Sequence, residues 1–287
     1  MAAPALIALD NALADAVKAV GPSVVHVARG HHQGGTGIVW ATDLVITSNF
    51  HTPDKTRVGL PTEDGELDLR DAEVIGRDPG TDVALLRVTG GGLTPATFRA
   101  IDDLSVGNLA LAIGRPGRTA RASLRAIGVL GPEVETPHGG TLDRYLESDR
   151  QIPRGFAGGP LVTPDGSVLG MNTRTLIRGA DLAVPTATLQ TVVAELLAHG
   201  GIRKGYLGVG AFPSKHGAII ASLEDDGPAA KAGVIVGDII TEVDGEAVTG
   251  PDTLRSVLAS RPDRTVKVVL LRGGARTELD VAIGSRS

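Results

Sequence analysis

The apolar positions of this chain fall into short runs with a changing period. Residues 6–19, LIALDNALADAVKA, place Leu6, Leu9, Leu13, Ala16 and Val17 at helical spacing, and Gly21-Pro22 ends the pattern. A long series of strand-length segments follows: SVVHVARG, TGIVW, LVITSN, RVGLP, AEVIGR, DVALLRV, NLALAIG, RAIGVLG, GPLVT, SVLGMNT and DLAVP. Each is rich in branched residues and bounded by Gly, Pro or Asp. No helical period interrupts the series, so the crossover helices of a parallel sheet are missing and an antiparallel barrel or sandwich pair is predicted. The helical period returns at 186–199, TATLQTVVAELLAH, with Leu189, Val192, Val193, Leu196 and Leu197 on one face and Gly200-Gly201 as the stop. After GGIRKG, which reads as a linker, the strands YLGVG, GAIIASL, IITEVDG, VKVVLLR and ELDVAIG enclose two helix candidates. These are PAAKAG and DTLRSVLAS, the second opened by Asp252 as its N-cap.

A length of 287 residues suits two domains. Gly and Pro make up about a fifth of the chain against a typical share of roughly 12%, which excludes a bundle or coiled coil. With one Trp, two Tyr and four Phe, the cores must be built from Val, Leu, Ile and Ala. The chain has no cysteine, so disulfides, thiolate catalysis and cysteine-held metals are excluded. A net charge of −5 argues against nucleic acid as a partner. No apolar run reaches the ~18–20 residues of a membrane span. The first residues lack a basic stretch before the apolar one, so the sequence as it stands predicts a cytoplasmic protein, or a periplasmic one if a leader has been removed.

At the level of motifs, the second module resembles a bacterial PDZ domain through YLGVG, GPAAKAGVIVGDIITEVDGEAV and the helix DTLRSVLAS. The first resembles the trypsin-like core of the HtrA (Deg) serine proteases through GGTGIVW with VITSNFH, DPGTDVALLRV, GRPGRTARASLRAIGVLG, and GFAGGPLVTPDGSVLGMNT, in the family's order. The resemblance implies a mostly β fold: an N-terminal helix over 1–22, a double six-stranded barrel over 23–185, a connecting helix and linker over 186–203, and an α+β PDZ domain over 204–287. It also implies peptides, protein C-termini or unfolded segments as partners, no cofactor, and a homotrimer formed through the N-terminal region.

The family's chemistry needs a histidine base, a carboxylate that orients it, a hydroxyl nucleophile and backbone N–H donors for the oxyanion. Asp82, in TDVALL, occupies the carboxylate position of the resemblance. The family's Gly-x-Ser-Gly-Gly-Pro is Gly155-Phe156-Ala157-Gly158-Gly159-Pro160 here, and alanine has no oxygen with which to form an acyl-enzyme. Ser148 lies nine residues upstream of Ala157 and cannot replace it without rebuilding the loop. The family's Thr-x-x-His is displaced as well. Thr47-Ser48-Asn49 is followed by Phe50, and His51 comes one residue late. Either a local bulge, or Ser48 taking the Thr position, brings His51 to the base position, the register favoured here, or Phe50 fills it and His51 faces away, because a one-residue slip reverses a strand's faces. The amides of Gly155 and Ala157 remain as oxyanion donors, and Asn172, Thr173 and Arg174 are expected along the substrate pocket.

The preferred reading is therefore a native pseudoprotease that binds peptides or unfolded segments. Its rivals are an active endopeptidase in which Ser was exchanged for Ala at 157, and a scaffold acting only through its PDZ groove. For that groove the residues are Tyr206, Leu207, Gly208 and Val209 in the carboxylate loop, with Leu254 and Leu258 on the helix. His31-His32, with His26 and His51, reads as loop rather than metal site, and no metal is expected. Arg115, Arg118, Arg121 and Arg125 form a basic stretch that reads as solvated loop.

Overall fold

In the computed structural model, which describes residues 4–29 and 32–286, the chain divides into two compact units, 1–201 and 202–287. Helix α1 (Pro4–Val20) passes through a 3-10 turn, Gly21–Ser23, into the first barrel. Of its apolar positions only Ala16 and Val20 are buried, while Leu6, Ile7 and Leu9 face solvent. Strands β1 (Val24–Arg29), β2 (His32–Ala41), β3 (Leu44–Ser48), β4 (Lys55–Pro61), β5 (Leu67–Asp78) and β6 (Val83–Val88) close an antiparallel barrel in the order β1-β2-β3-β6-β5-β4. Its core is valine and leucine, with Val25, Val27, Val39, Val45 and Leu86 at its centre. The low aromatic content is thus matched by narrow barrels that branched aliphatic side chains can fill.

The second barrel is built from β7 (Leu109–Gly114), β8 (Arg121–Gly131), β11 (Tyr145–Ser148), β12 (Pro160–Val162), β13 (Val168–Ile177) and β14 (Ala180–Pro185), in the order β11-β14-β13-β12-β7-β8. The short pair β9 (Val134–Glu135) and β10 (Thr141–Leu142) stands apart from it. Closure removes the open edges that such strands would otherwise present.

Helix α2 (Thr186–His199) belongs to the first unit and packs on β5, burying Leu189, Val192, Val193 and Leu196. Leu197, expected on the same face, is 47% exposed. Gly200 ends the helix in the left-handed region, with its N–H on the Leu196 carbonyl. Gly76 of β5 makes this close approach possible, because a Cβ there would stand 2.9 Å from Leu196 Cβ and 3.1 Å from the Gly200 carbonyl oxygen.

The second unit holds β15 (Lys204–Tyr206), β16 (Val209–Ser214), β17 (Gly217–Leu223), β18 (Ile239–Val243), β19 (Glu246–Ala247), β20 (Thr265–Arg272), β21 (Ala275–Ala282) and β22 (Gly284–Arg286). Its main sheet runs β16-β17-β18-β20-β21, so β16 is an edge strand, and β15 pairs separately with β22. Two helices accompany the sheet, α3 (Pro228–Lys231) and α4 (Pro251–Ala259). The start of α4 differs from expectation. Gly250 is its N-cap and Pro251 its first residue, while the Thr253 hydroxyl takes the Gly250 N–H and Asp252 sits inside the first turn. Proline's fixed φ preorganises that first turn, which moves the cap two residues upstream of the aspartate.

The α2 contact predicts that Gly76→Val lowers stability by about 1–3 kcal/mol, since neither the Leu196 stem nor the Gly200 backbone can retreat without shifting the helix. Urea unfolding of the variant against the parent protein measures this, and an unchanged midpoint would contradict the packing.

Candidate functional site

The carboxylate of Asp82 lies where the two barrels meet. The residue is 3% exposed and stands in the turn before β6 with φ +59°, a left-handed conformation that Asp tolerates better than most residues. Ser48 at the end of β3 donates its hydroxyl to both carboxylate oxygens, at 3.0 and 2.8 Å. The Phe50 N–H donates to Oδ1 at 3.0 Å. From the second barrel, Thr173 Oγ1 on β13 donates to Oδ2 at 2.6 Å. Burial raises the Asp82 pKa above the ordinary carboxylate value, and the Thr173 and Ser48 hydroxyls and the Phe50 amide oppose that rise.

The register question bears on the same place. β3 pairs with β6 without interruption from Leu44↔Arg87 to Ser48↔Val83, so the expected bulge is absent at this end of the strand. The chain then turns at once into a 3-10 segment, Asn49–His51. Asn49 N–H bonds the Asp82 carbonyl, Thr52 Oγ1 bonds the Ser48 carbonyl, and Arg77 grips the turn through Asn49 Oδ1 and the Thr52 carbonyl. These bonds fix residue 50 with its amide on the Asp82 carboxylate and its ring 52% exposed. The His51 side chain lies outside the described residues, as do His31 and the His32 side chain. Among the described residues no cluster suited to a metal ion is present.

The loop around Ala157 has its own supports. Phe156 turns its ring into the core of the second barrel, and its N–H bonds the Pro153 carbonyl. The Gly155 carbonyl accepts the Thr36 hydroxyl at 2.6 Å, and Gly158 N–H bonds the Asn172 carbonyl at 2.8 Å. Gly155 and Gly158 both have positive φ, and a Cβ on Gly158 would lie 2.3 Å from the Thr36 carbonyl oxygen. No acceptor among the described residues engages the N–H of Gly155 or of Ala157, and both residues are half-buried. Such a loop offers two fixed donors to an oxygen and no nucleophile of its own.

The residues expected along a substrate pocket have other partners. Asn172 is buried and its side-chain amide donates to the Gly159 carbonyl at 3.0 Å, so it braces the loop. Thr173 is buried on Asp82, and Arg174 stands 3.6 Å from Asp181. Sequence reasoning missed Thr36 and the Asp82-binding roles of Ser48 and Thr173. A hydroxyl residue at a strand end beside a glycine-rich stretch carries too weak a signal to single out.

In the second unit Leu207 and Gly208 join β15 to β16. Their carbonyls accept N–H bonds from Ala229 and Glu224, both at 2.9 Å, and Gly208 has φ +75°. Tyr206 is paired with Gly284, with the Arg286 guanidinium 3.7 Å over its ring. Val209 opens the edge strand β16, against which α4 packs. Leu254 and Leu258 are buried in the core of this unit.

Residues 35–171 match the family model for a trypsin-like peptidase domain, and residues 205–283 match that for a PDZ domain. A probable periplasmic serine endoprotease, DegP-like, of Brucella suis is 31% identical over 274 residues, covering 88% of this chain and 52% of that protein. The periplasmic pH-dependent serine endoprotease DegQ of Escherichia coli is 30% identical over 274 residues, covering 87% and 59%. The chain thus spans about half the length of the curated relatives it matches. Among solved structures it is similar to the serine endoprotease from Yersinia pestis, with TM-score 0.73 and 26% identity over 96% of this chain and 98% of that one. It is also similar to the HtrA-type protease AlgW with tripeptide, with TM-score 0.69 and 26% identity over 96% and 97%.

The raised Asp82 pKa has a direct consequence for stability. The native protein binds this proton more tightly than the unfolded chain does, so Asp82 contributes most in acid, and that contribution is lost as pH rises through its native pKa. The difference in unfolding free energy between the parent and Asp82→Asn should therefore move in the parent's favour as pH falls from neutrality into the ordinary carboxylate range. Denaturant titrations across that range measure it, and a difference independent of pH would contradict the assignment.

Proposed function

The chain belongs to the HtrA (Deg) family, with a trypsin-like peptidase domain followed by a PDZ domain, and from that premise we propose that it is a pseudoprotease that binds peptides without cutting them. The observation that carries this reading is the unbroken β3–β6 ladder ending on the Phe50–Asp82 hydrogen bond. Counted along that ladder, the family's Thr-x-x-His falls on Thr47-Ser48-Asn49-Phe50, so Phe50 rather than His51 takes the base position. A carboxylate accepts about four hydrogen bonds, and the Ser48, Phe50 and Thr173 donors already surround this one. Ala157 removes the nucleophile as well. Two separate losses in the proton-transfer path are hard to assign to one exchange of Ser for Ala, which favours a protein that is inactive in its natural form.

Binding needs neither lost group. The Gly155 and Ala157 amides remain as donors for a peptide oxygen, and the edge of β16 beside α4 can accept a peptide as an added strand. Peptides, protein C-termini and unfolded segments are accordingly the partners. The exposed Leu6, Ile7 and Leu9 on α1 support self-association through that helix, and the relatives' names support a periplasmic location.

The rival reading, an endopeptidase altered only at 157, is favoured by the intact bracing of the loop. The two separate under a casein-hydrolysis assay. The chain as written and Ala157→Ser should both show no turnover, while Ala157→Ser combined with Phe50→His should show some. Adding Asp82→Asn should then reduce that turnover by roughly 10³–10⁴-fold. Turnover by Ala157→Ser alone would overturn the pseudoprotease reading. If removal of 204–287 abolishes all peptide binding, the PDZ-scaffold reading replaces it.

A further inference from the structure

The outer face of the first barrel carries a groove of about 1180 Å³ along β4, β5 and β6. The strand register places its side chains. Lys55 stands opposite Glu73, Arg57 opposite Asp71, and Glu73 opposite Arg87, so all five project from one face. They are exposed, whereas the alternate residues Ala72 and Val88 are buried. The face is therefore striped by charge: positive on β4, negative on β5, and positive again on β6.

Opposite charges at directly paired positions of an antiparallel sheet ordinarily close on each other. Here they stay apart. Among the described residues Lys55, Arg57, Asp71 and Glu73 have no ion-pair partner, although each faces a group of the opposite sign. Arg87 approaches Asp43 through Nε alone, at 3.5 Å, and no hydrogen bond among the described residues engages its two terminal nitrogens. With Asp43, three cations and three carboxylates line the groove. That balance disfavours a plain polyanion, and among the described residues no cluster suited to a metal ion is present. A ligand that answers all three stripes carries both signs, in the order negative, positive, negative.

We propose that this groove binds a free dicarboxylic amino acid, glutamate in its extended form. One carboxylate lies on Lys55 and Arg57, the ammonium on Asp71 and Glu73, and the second carboxylate on Arg87. Adjacent strands lie about 4.8 Å apart, so the two positive rows are about 9–10 Å from each other. Extended glutamate separates its carboxylates by about 5 Å, and a charge-assisted bond of about 2.8 Å at either end spans the remainder. None of these side chains belongs to the surroundings of Asp82 or Ala157, so the inference is independent of peptide binding by the barrels.

The test titrates the full chain, labelled with nitrogen-15, with three ligands at low ionic strength: glutamate, glutarate, which lacks the ammonium, and glutamine, which lacks one carboxylate. Glutamate should shift the backbone resonances of Thr56, Ala72 and Thr89 while leaving Gly208 in the second unit unmoved. Glutarate and glutamine should each bind about tenfold more weakly. Arg57→Gln, Glu73→Gln and Arg87→Gln should each weaken glutamate by a similar factor, and Arg276→Gln in the second unit should not. The ligand series on the parent chain decides the matter even where a variant folds poorly. No shift with glutamate, or equal affinity for glutamate and glutarate, would overturn the proposal. It would also fall if the same resonances moved with protein concentration alone, because the face would then be an interface between copies of the chain.

Discussion

A buried carboxylate that bonds to both barrels is the constraint on which the first unit turns. An ionised Asp82 without partners would cost several kcal/mol in this position. Instead it is met by Ser48 and the Phe50 amide from one barrel and by Thr173 from the other. Each donor is fixed for its own reason. Ser48 is the last residue of a ladder with no irregularity at that end, Phe50 lies in a turn gripped by Arg77, and Thr173 sits in β13 opposite Leu182. The carboxylate therefore sets the join between the barrels and the position of residue 50 together. A change in either is felt by the other.

The loop at 155–159 stands on different supports. Phe156 anchors the loop by apolar burial, Thr36 and Asn172 by hydrogen bonds, and the two glycines by conformations that no other residue fits without displacement. None of these supports runs through the side chain of residue 157 or through an imidazole. With alanine at 157 these supports are all still in place.

The strands and the helix at 186–199 were legible because alternation and helical spacing follow directly from burial. The failures are equally physical. Leu197 carries the right spacing yet is exposed, because a helix lying on a barrel wall buries a narrower stripe than the sequence suggests. The start of α4 was displaced because proline and glycine outcompete an aspartate two residues on. The motif around Asn172 and Thr173 carries no signal that their side chains turn towards Gly159 and Asp82. The register at His51 is the hardest feature to read from sequence, since one residue reverses a face and composition is silent about which ladder bonds persist.

The second unit offers an open edge built from main-chain groups. β16 has one partner, β17, so its other edge keeps main-chain groups that an extended peptide can pair, and α4 packs beside that strand. The preceding turn fixes its own conformation by directing the Leu207 and Gly208 carbonyls onto Ala229 and Glu224. Leu254 contributes from beneath, as part of the core that holds α4 in place, since it is buried with Leu258, Ile220 and Val268. A strand added at such an edge would be held mainly by backbone hydrogen bonds, with side chains supplying selectivity at its alternate positions. The barrel loop likewise presents backbone donors. Both candidate sites thus rely on main-chain groups held by packing, and such groups survive substitutions that remove a reactive side chain.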